Sequence, residues 1–162
     1  MNTTDYNLES LDWELFHYSA EPINLEDSGY VPKKADKINI PYSKDEYRTY
    51  AYDEANGYYL RSSNGKIQYD RKTESQLHYK NIIIERVTNK SIENADGNLE
   101  LETTGNGTAY YITEGKFLPI KWEKTSRESK TIYTFDDGTE ITLNDGNTFI
   151  QIVPTDCNVT ID

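Results

Sequence analysis

Residues 50–70, YAYDEANGYYLRSSNGKIQYD, decide the fold. The stretch contains two Asn-Gly pairs, Asn56-Gly57 and Asn64-Gly65, and each pair lies between runs of alternating residues. Asn and Gly supply the positive φ angles that tight hairpin loops require. The stretch therefore predicts three short antiparallel strands joined by two hairpin turns.

A two-residue loop at each Asn-Gly pair sets the predicted strand register. The expected pairs are Ala55–Tyr58, Asp53–Leu60 and Tyr52–Arg61 in the first hairpin, then Ser63–Lys66, Arg61–Gln68 and Tyr59–Asp70 in the second. Side chains alternate between the two faces of a strand, so each hairpin has one core face and one solvent face. The expected core face carries Ala51, Tyr58, Leu60, Ile67 and Tyr69. The expected solvent face carries Tyr50, Tyr52, Tyr59, Arg61, Gln68 and Asp70.

The composition narrows the classes of partner. The chain has 162 residues, enough for one domain with a core. Its 28 acidic and 17 basic residues give a net charge of -11, which argues against nucleic acid, because binding phosphates requires Lys and Arg. Cationic peptides and metal ions stay open. Fourteen tyrosines against four phenylalanines suit half-buried β-sheet faces.

Turn signals recur along the rest of the chain. Ile82-Ile83-Ile84 predicts a strand buried on both faces. A hairpin turning at Glu114-Gly115 would pair Tyr111 with Leu118, Ala109 with Ile120, and Gly107 with Trp122. We therefore expect an α+β fold that is predominantly antiparallel β, a hairpin-rich twisted sheet or open roll with little helix.

The chain is expected to divide into three parts. Residues 1–36 read as the tail of a preceding domain, with a short helix at Leu8 and Leu11, followed by an extended polar linker over residues 21–36. Residues 37–156 form the β-rich domain, and residues 157–162 form a C-terminal tail.

The predicted solvent face suggests a binding site. Its candidate residues are Tyr52, Tyr59, Arg61, Gln68 and Asp70. Arg offers a planar fork for a carboxylate, and tyrosines offer stacking area for sugars or peptides. The alternative is an ordinary solvated face, on which Arg61 pairs with Asp70 and lies over Tyr52.

Ordinary catalytic and metal chemistry finds little support in the sequence. Cys157 is the one cysteine, and neither His17 nor His78 has a companion at metal-ligand spacing. No phosphate-binding loop, dinucleotide fingerprint or nucleophile elbow is present. Acidic pairs such as Glu100 and Glu102, or Asp136 and Asp137, are weak evidence for glycosidase chemistry. We therefore predict no catalytic residue, no metal and no cofactor.

A family pattern runs through these residues. It includes Tyr52-Asp53, Tyr59-Leu60-Arg61, Asn64-Gly65-Lys66, Asp70, Lys80-Asn81-Ile82, Gly105-Asn106-Gly107, Trp122-Glu123-Lys124 and Gln151-Ile152-Val153-Pro154. In this order the chain resembles the C-terminal domain of the YerB-like bacterial lipoproteins, a domain of unknown function. The resemblance covers roughly residues 37–154. It departs at Gln68 and Tyr69, where members often have His, and at Phe149, where they often have Trp.

The resemblance implies an exported protein, lipid-anchored through a segment outside this sequence, with a preceding domain of related fold and no established catalytic residues. We expect a non-enzymatic binding or scaffolding domain of a cell-envelope lipoprotein that recognises a protein or peptidoglycan partner and no nucleic acid; its oligomeric state stays open. One alternative is a cell-wall hydrolase or transferase that uses acidic residues. Another is a purely structural unit that completes the sheet of a partner domain.

Overall fold

The computed structural model describes residues 16–91 and 99–162. The first strands are β1 His17–Ser19, β2 Lys33–Lys34, β3 Lys37–Pro41, β4 Tyr47–Asp53, β5 Tyr58–Ser63, β6 Lys66–Ile67, β7 His78–Tyr79 and β8 Asn81–Val87. The later strands are β9 Asn89–Ser91, β10 Leu99–Leu101, β11 Gly105–Thr113, β12 Lys116–Lys124, β13 Ile132–Thr134, β14 Thr142–Asn144, β15 Thr148–Pro154 and β16 Thr160–Ile161. Within these ranges the helical content is one 3₁₀ turn, Leu25–Ser28.

Two six-stranded sheets form the framework. The central sheet has the order β13-β12-β11-β8-β15, with β2 added beside β12. The side sheet has the order β16-β3-β4-β5-β6, with β7 also beside β5. Most pairings are antiparallel, whereas β15 runs parallel to β8 and β1 runs parallel to β14. The predicted antiparallel β architecture is confirmed, while the α+β label fits only loosely because the described helix is so short.

The side sheet covers one face of the central sheet. Their shared core joins Ile38, Ile40, Tyr50 and Tyr59 of the side sheet to Ile82, Ile84, Ile112 and Val153 of the central sheet. The opposite face of the central sheet carries Ile83, Tyr111, Leu118 and Trp122, and it packs against Leu25, Ile141 and Leu143. The prediction that the Ile82-Ile83-Ile84 strand is buried on both faces is confirmed.

The hairpin of β11 and β12 has the predicted register. Tyr111 pairs with Leu118, and Gly107 pairs with Trp122. The turn residues Glu114 and Gly115 have φ angles of 48° and 69°, as a two-residue hairpin loop requires. A Cβ on Gly107 would lie 2.6 Å from Trp122 Nε1, so only glycine leaves room for the indole.

The first hairpin differs from its predicted register. Asp53 pairs with Tyr58, so the loop has the four residues 54–57 rather than two, and the register is displaced by two residues. The carbonyl of Asp53 accepts hydrogen bonds from the amides of Asn56 and Gly57, which closes this wider loop. A displacement of two leaves each side chain on its predicted face.

The assignment of those faces to core and solvent was wrong. Tyr50 and Tyr59 are fully buried, whereas Ile67 and Tyr69 are 51% and 62% exposed. The face that carries Arg61 lies against the central sheet, where Tyr50 and Tyr59 share one core with Ile82 and Ile84.

The second hairpin is shorter than predicted. Strand β6 ends at Ile67, the chain turns through residues 70–75, and it returns as β7. Tyr79 therefore lies opposite Tyr59, in the position predicted for Asp70.

Residues 16–36 pack against the domain. Leu25 and Ala35 are buried, and the Ile23 amide donates to Asn144 Oδ1 over 2.6 Å. The description of residues 21–36 as an extended polar linker was therefore wrong, although the division of the chain into domains stays a prediction. The predicted helix at Leu8 and Leu11 lies outside the described residues.

The chain's last residues join the side sheet, because Ile161 of β16 pairs with Ile38 of β3. Residues 157–162, predicted as a tail, thus add a short strand to the sheet. Within the described ranges no helix is long and apolar enough to cross a membrane.

Candidate functional site

Two of the five predicted site residues meet on the inner face of the side sheet. Arg61 Nη1 donates a hydrogen bond to Gln68 Oε1, and Arg61 Nε donates to Tyr50 Oη over 3.2 Å. The main-chain amide of Gln68 also donates a hydrogen bond to the main-chain carbonyl of Arg61. The backbone pairing therefore holds the two side chains next to each other. The predicted Arg61–Gln68 pair is therefore present.

A chain of hydrogen bonds carries this contact across to the central sheet. Tyr50 Oη donates to Gln151 Oε1 over 2.7 Å, and Gln151 Nε2 donates to Tyr42 Oη over 2.6 Å. Tyr42 Oη in turn donates to the Ile152 carbonyl over 3.0 Å. Each hydroxyl both accepts and donates, so the chain has one direction and fixes the position of Arg61.

Aromatic rings surround the Arg61 guanidinium. Its Cζ lies 4.9 Å from the centre of the Phe149 ring and 5.9 Å from that of Tyr50. The Tyr79 ring packs on Phe149 with centres 4.7 Å apart. Burial raises the pKa of Tyr50 to about 12, even though Arg61 acts to lower it. Tyr50 therefore stays a neutral hydroxyl at physiological pH, and the site keeps its single positive charge.

Within the described residues, no carboxylate pairs with Arg61. Asp70, the predicted partner, instead closes its own turn, where its Oδ1 accepts hydrogen bonds from the Lys72 and Thr73 amides. The expectation that Arg61 would pair with Asp70 over Tyr52 was wrong, because the chain leaves the sheet before Asp70 reaches it. Among the described residues, Arg61 is thus a part-buried cation whose hydrogen-bond partners are neutral groups.

Tyr52 and Tyr59 lie together at the other end of the same face. Their ring centres are 5.1 Å apart, and Tyr52 Oη donates to Glu114 Oε2 over 2.9 Å. Glu114 also forms an ion pair with Lys80. Burial, and then the hydrogen bond with Glu114, raise the pKa of Tyr52 to about 12. Tyr59 is fully buried and cannot contact a partner in this conformation.

An open cavity of ≈ 460 Å³ lies beside Tyr52 and Glu114. Charges of both signs line it, and most of its cations are already paired. Lys34 pairs with Asp36, and Lys116 pairs with Glu26. This cavity therefore offers less for an anionic ligand than Arg61 does.

The two histidines and the cysteine that the sequence analysis considered each contact a neighbouring protein group. His78 stacks on Tyr58 with ring centres 4.3 Å apart, and His17 lies 3.7 Å from Glu140 Oε2. Burial raises the pKa of the Cys157 thiol, whose Sγ donates to the Pro41 carbonyl, so the thiol is a poor nucleophile. In the part of the chain that the structure describes, no group of three His, Cys, Asp or Glu residues could hold a metal ion.

Asp136 and Asp137, one of the acidic pairs considered in the sequence, each interact with a neighbouring residue. Asp137 Oδ1 accepts a hydrogen bond from the Thr139 amide, and Asp136 pairs with Lys121 over 3.0 Å.

Sequence reasoning missed the residues that come from β15. Phe149 and Gln151 face the side sheet, and they supply the ring under Arg61 and the amide beside Tyr50. One signal was available, since Gln151 interrupts an otherwise apolar strand on the same face as Phe149 and Val153. A glutamine in such a position usually meets a buried polar partner.

The chain resembles known proteins in sequence and in fold. The sequence is 29% identical over 105 residues to "Putative lipoprotein YerB" of Bacillus subtilis (strain 168), an alignment that covers 65% of this chain and 30% of that protein. The crystal structure of the YerB protein from Bacillus subtilis superposes with a TM-score of 0.67 at 23% identity and covers 79% of this chain and 44% of that one. The chain thus spans less than half the length of these relatives.

A family model also matches, over residues 38–150, with the description "Protein of unknown function (DUF3048) C-terminal domain". The match covers well over half of the chain and confirms the YerB-like resemblance. The chain therefore belongs to the DUF3048 C-terminal domain family.

Proposed function

We propose that this domain is a non-enzymatic binding or scaffolding module of a bacterial cell-envelope lipoprotein. In this proposal it recognises a protein or peptidoglycan partner through the end of the sandwich at Arg61 and Gln68. Tyr42 and Tyr79, both half-buried beside Arg61, supply the surrounding contact area.

The observation that carries the proposal is the state of Arg61. A guanidinium that loses part of its hydration and gains no carboxylate costs free energy, unless a bound partner repays that cost. The hydrogen-bond chain through Tyr50 and Gln151 holds the guanidinium in one position. A fold that retains an unpaired, oriented cation has the features of a preorganised recognition site.

The cell-envelope location rests on the relative's name, which describes that Bacillus subtilis protein as a putative lipoprotein. A net charge of -11 is in keeping with a partner other than nucleic acid.

Partner capture with an Arg61 variant tests the proposal. The full chain, immobilised, is incubated with detergent-solubilised bacterial membranes and, separately, with purified peptidoglycan. We expect Arg61→Gln to lose most of the material that the unchanged chain retains. The matched control is Arg71→Gln, which removes the same charge from an exposed turn and should retain it.

Equal recovery by both variants, with the fold intact, would contradict the Arg61 site. Release of soluble fragments from the peptidoglycan would favour the hydrolase alternative and contradict the non-enzymatic proposal.

A further inference from the structure

The Arg61 guanidinium has unused hydrogen-bond donors. Arginine carries five N–H groups, and Arg61 uses one on Nε with Tyr50 and one on Nη1 with Gln68. The remaining N–H groups, one on Nη1 and two on Nη2, find no acceptor among the described residues. Gln68 accepts through Oε1, which leaves its Nε2 amide as a further donor beside them.

The surroundings of these donors select the shape of a ligand. Phe149 and Tyr50 lie near the guanidinium, with Phe149 close enough to stack at 4.9 Å. An anion is therefore expected to approach in the plane of the guanidinium, along the edge formed by Nη1 and Nη2. A planar group with two oxygens matches that edge with two parallel hydrogen bonds.

The charge of the site selects a monoanion. Two further arginines are engaged elsewhere: Arg48 pairs with Glu46, and Arg86 Nη2 donates to the carbonyls of Thr155 and Cys157. A phosphate dianion would need more positive charge than one arginine offers in a chain of net charge -11. A carboxylate needs only one guanidinium.

From this geometry we propose that the Arg61 site binds a carboxylate, held by the Nη1–Nη2 edge of Arg61 and by Gln68 Nε2. The inference rests on the proposed binding function and specifies its ligand chemistry. The free C-terminal carboxylate of a peptide fits this chemistry. Such a carboxylate ends both a peptidoglycan stem peptide and an ordinary protein chain.

An NMR titration of the full chain separates these cases. The probes are acetyl-Lys-D-Ala-D-Ala, acetyl-Lys-L-Ala-L-Ala and the C-terminal amide of each, and the readout is the Arg61 Nε–H signal. We expect the free acids to shift this signal. The amides should bind at least about tenfold more weakly, because an amide has no carboxylate to form charge-assisted hydrogen bonds with Arg61. The tighter of the two free acids then identifies the cell-wall or the protein source. Equal shifts from acids and amides, or no shift from either acid, would overturn the proposal.

Gln68→Glu gives a second test that does not depend on losing the arginine. The new carboxylate would pair with Arg61 within the chain and compete with the ligand, so probe binding should fall about tenfold or more while resistance to urea is retained. Arg61→Lys keeps the charge but loses the fork, and we expect about tenfold weaker binding. Arg71→Lys is the control and should leave binding unchanged. Unaltered probe affinity in folded Gln68→Glu would contradict the proposed pose.

The two proposals fail in different ways. Arg61-dependent partner capture without carboxylate binding would overturn this inference alone. Loss of Arg61 dependence in capture would overturn the proposed function itself.

Discussion

The hydroxyl groups of Tyr50 and Tyr59 lie in the same core on adjacent strands, yet only that of Tyr50 is hydrogen-bonded. Tyr50 Oη accepts from Arg61 and donates to Gln151. Tyr59 Oη is buried and forms no hydrogen bond of ordinary geometry among the described residues, and the nearby Gly115 backbone offsets only part of the effect by which burial raises its pKa. Both rings are fully buried, so the two residues differ mainly in how their polar atoms are satisfied.

We therefore predict opposite effects from the same substitution. Tyr50→Phe should destabilise the fold by about 1–2 kcal/mol, because it removes two hydrogen bonds, one of them to a charged group. Tyr59→Phe should stabilise it by about 1 kcal/mol, because it removes a buried unsatisfied hydroxyl. Urea denaturation at neutral pH measures both, and a loss of stability in Tyr59→Phe would contradict the contrast.

The same two tyrosines explain why the core and solvent faces of the side sheet could not be assigned correctly from the sequence. Alternation placed Tyr50, Tyr59 and Arg61 correctly on one face, and a loop two residues longer than expected did not alter that. Which face is buried depends on the strand it packs against, and Ile82 and Ile84 come later in the sequence. Tyrosine is both large and polar, so local hydrophobicity could not decide between the faces.

The register of the β11–β12 hairpin was predictable because the turn that sets it lies between the two strands in the sequence. The Glu114-Gly115 turn sets the register, and the register alone places Gly107 opposite Trp122. By contrast, the ring and the amide that complete the Arg61 site come from β15, about ninety positions along the chain, and no turn signal relates them. Arg61 was therefore predictable as a candidate, but its neighbours were not.

Gly107→Ala should destabilise the fold by about 2 kcal/mol through overpacking. The added Cβ would lie 2.6 Å from Trp122 Nε1 and 3.0 Å from the Arg86 carbonyl, which itself accepts the indole N–H. Thermal or urea unfolding measures the loss, and Asn106→Ala at the neighbouring exposed position is the control, expected within about 0.5 kcal/mol. A Gly107→Ala protein as stable as this control would show that the indole moves without cost.

Glu85 predicts a pH dependence of stability. Its side chain is buried in the central sheet, and Tyr133 Oη donates to its Oε2 over 2.7 Å. Burial raises the pKa of Glu85, and the opposing effects of Tyr133 and Lys124 are smaller. The folded state therefore binds a proton more tightly than the unfolded state, and stability falls as pH rises from the ordinary glutamate pKa of 4.5 through the raised pKa.

Glu85→Gln should remove this pH dependence, because the amide still accepts from Tyr133 and does not ionise. We expect the variant to match the unchanged chain at pH 4 and to be more stable at pH 7, as measured by urea denaturation at both values. Tyr133→Phe leaves the carboxylate without its donor and should lower stability more at pH 7 than at pH 4. A Glu85→Gln protein that is less stable at pH 7 would contradict the assigned cause.

The ion pair between Lys80 and Glu114 joins the start of β8 to the β11–β12 turn. Lys80 Nζ also donates to the Gly57 carbonyl in the first hairpin loop, so the pair links the two sheets. Its side chains are only 27% and 34% exposed, which limits screening by water. A double-mutant cycle with Lys80→Met and Glu114→Gln should give a coupling energy of about 1 kcal/mol.

The matched control for this cycle is the pair of Lys34 and Asp36, whose side chains are 77% and 52% exposed. Two exposed, mobile side chains lose as much entropy as they gain in attraction, so Lys34→Met with Asp36→Asn should show no measurable coupling. The difference between the cycles should persist in 0.5 M salt, because a part-buried pair is screened less than an exposed one. Equal coupling in the two cycles would mean that the Lys80–Glu114 contact does not hold the sheets together.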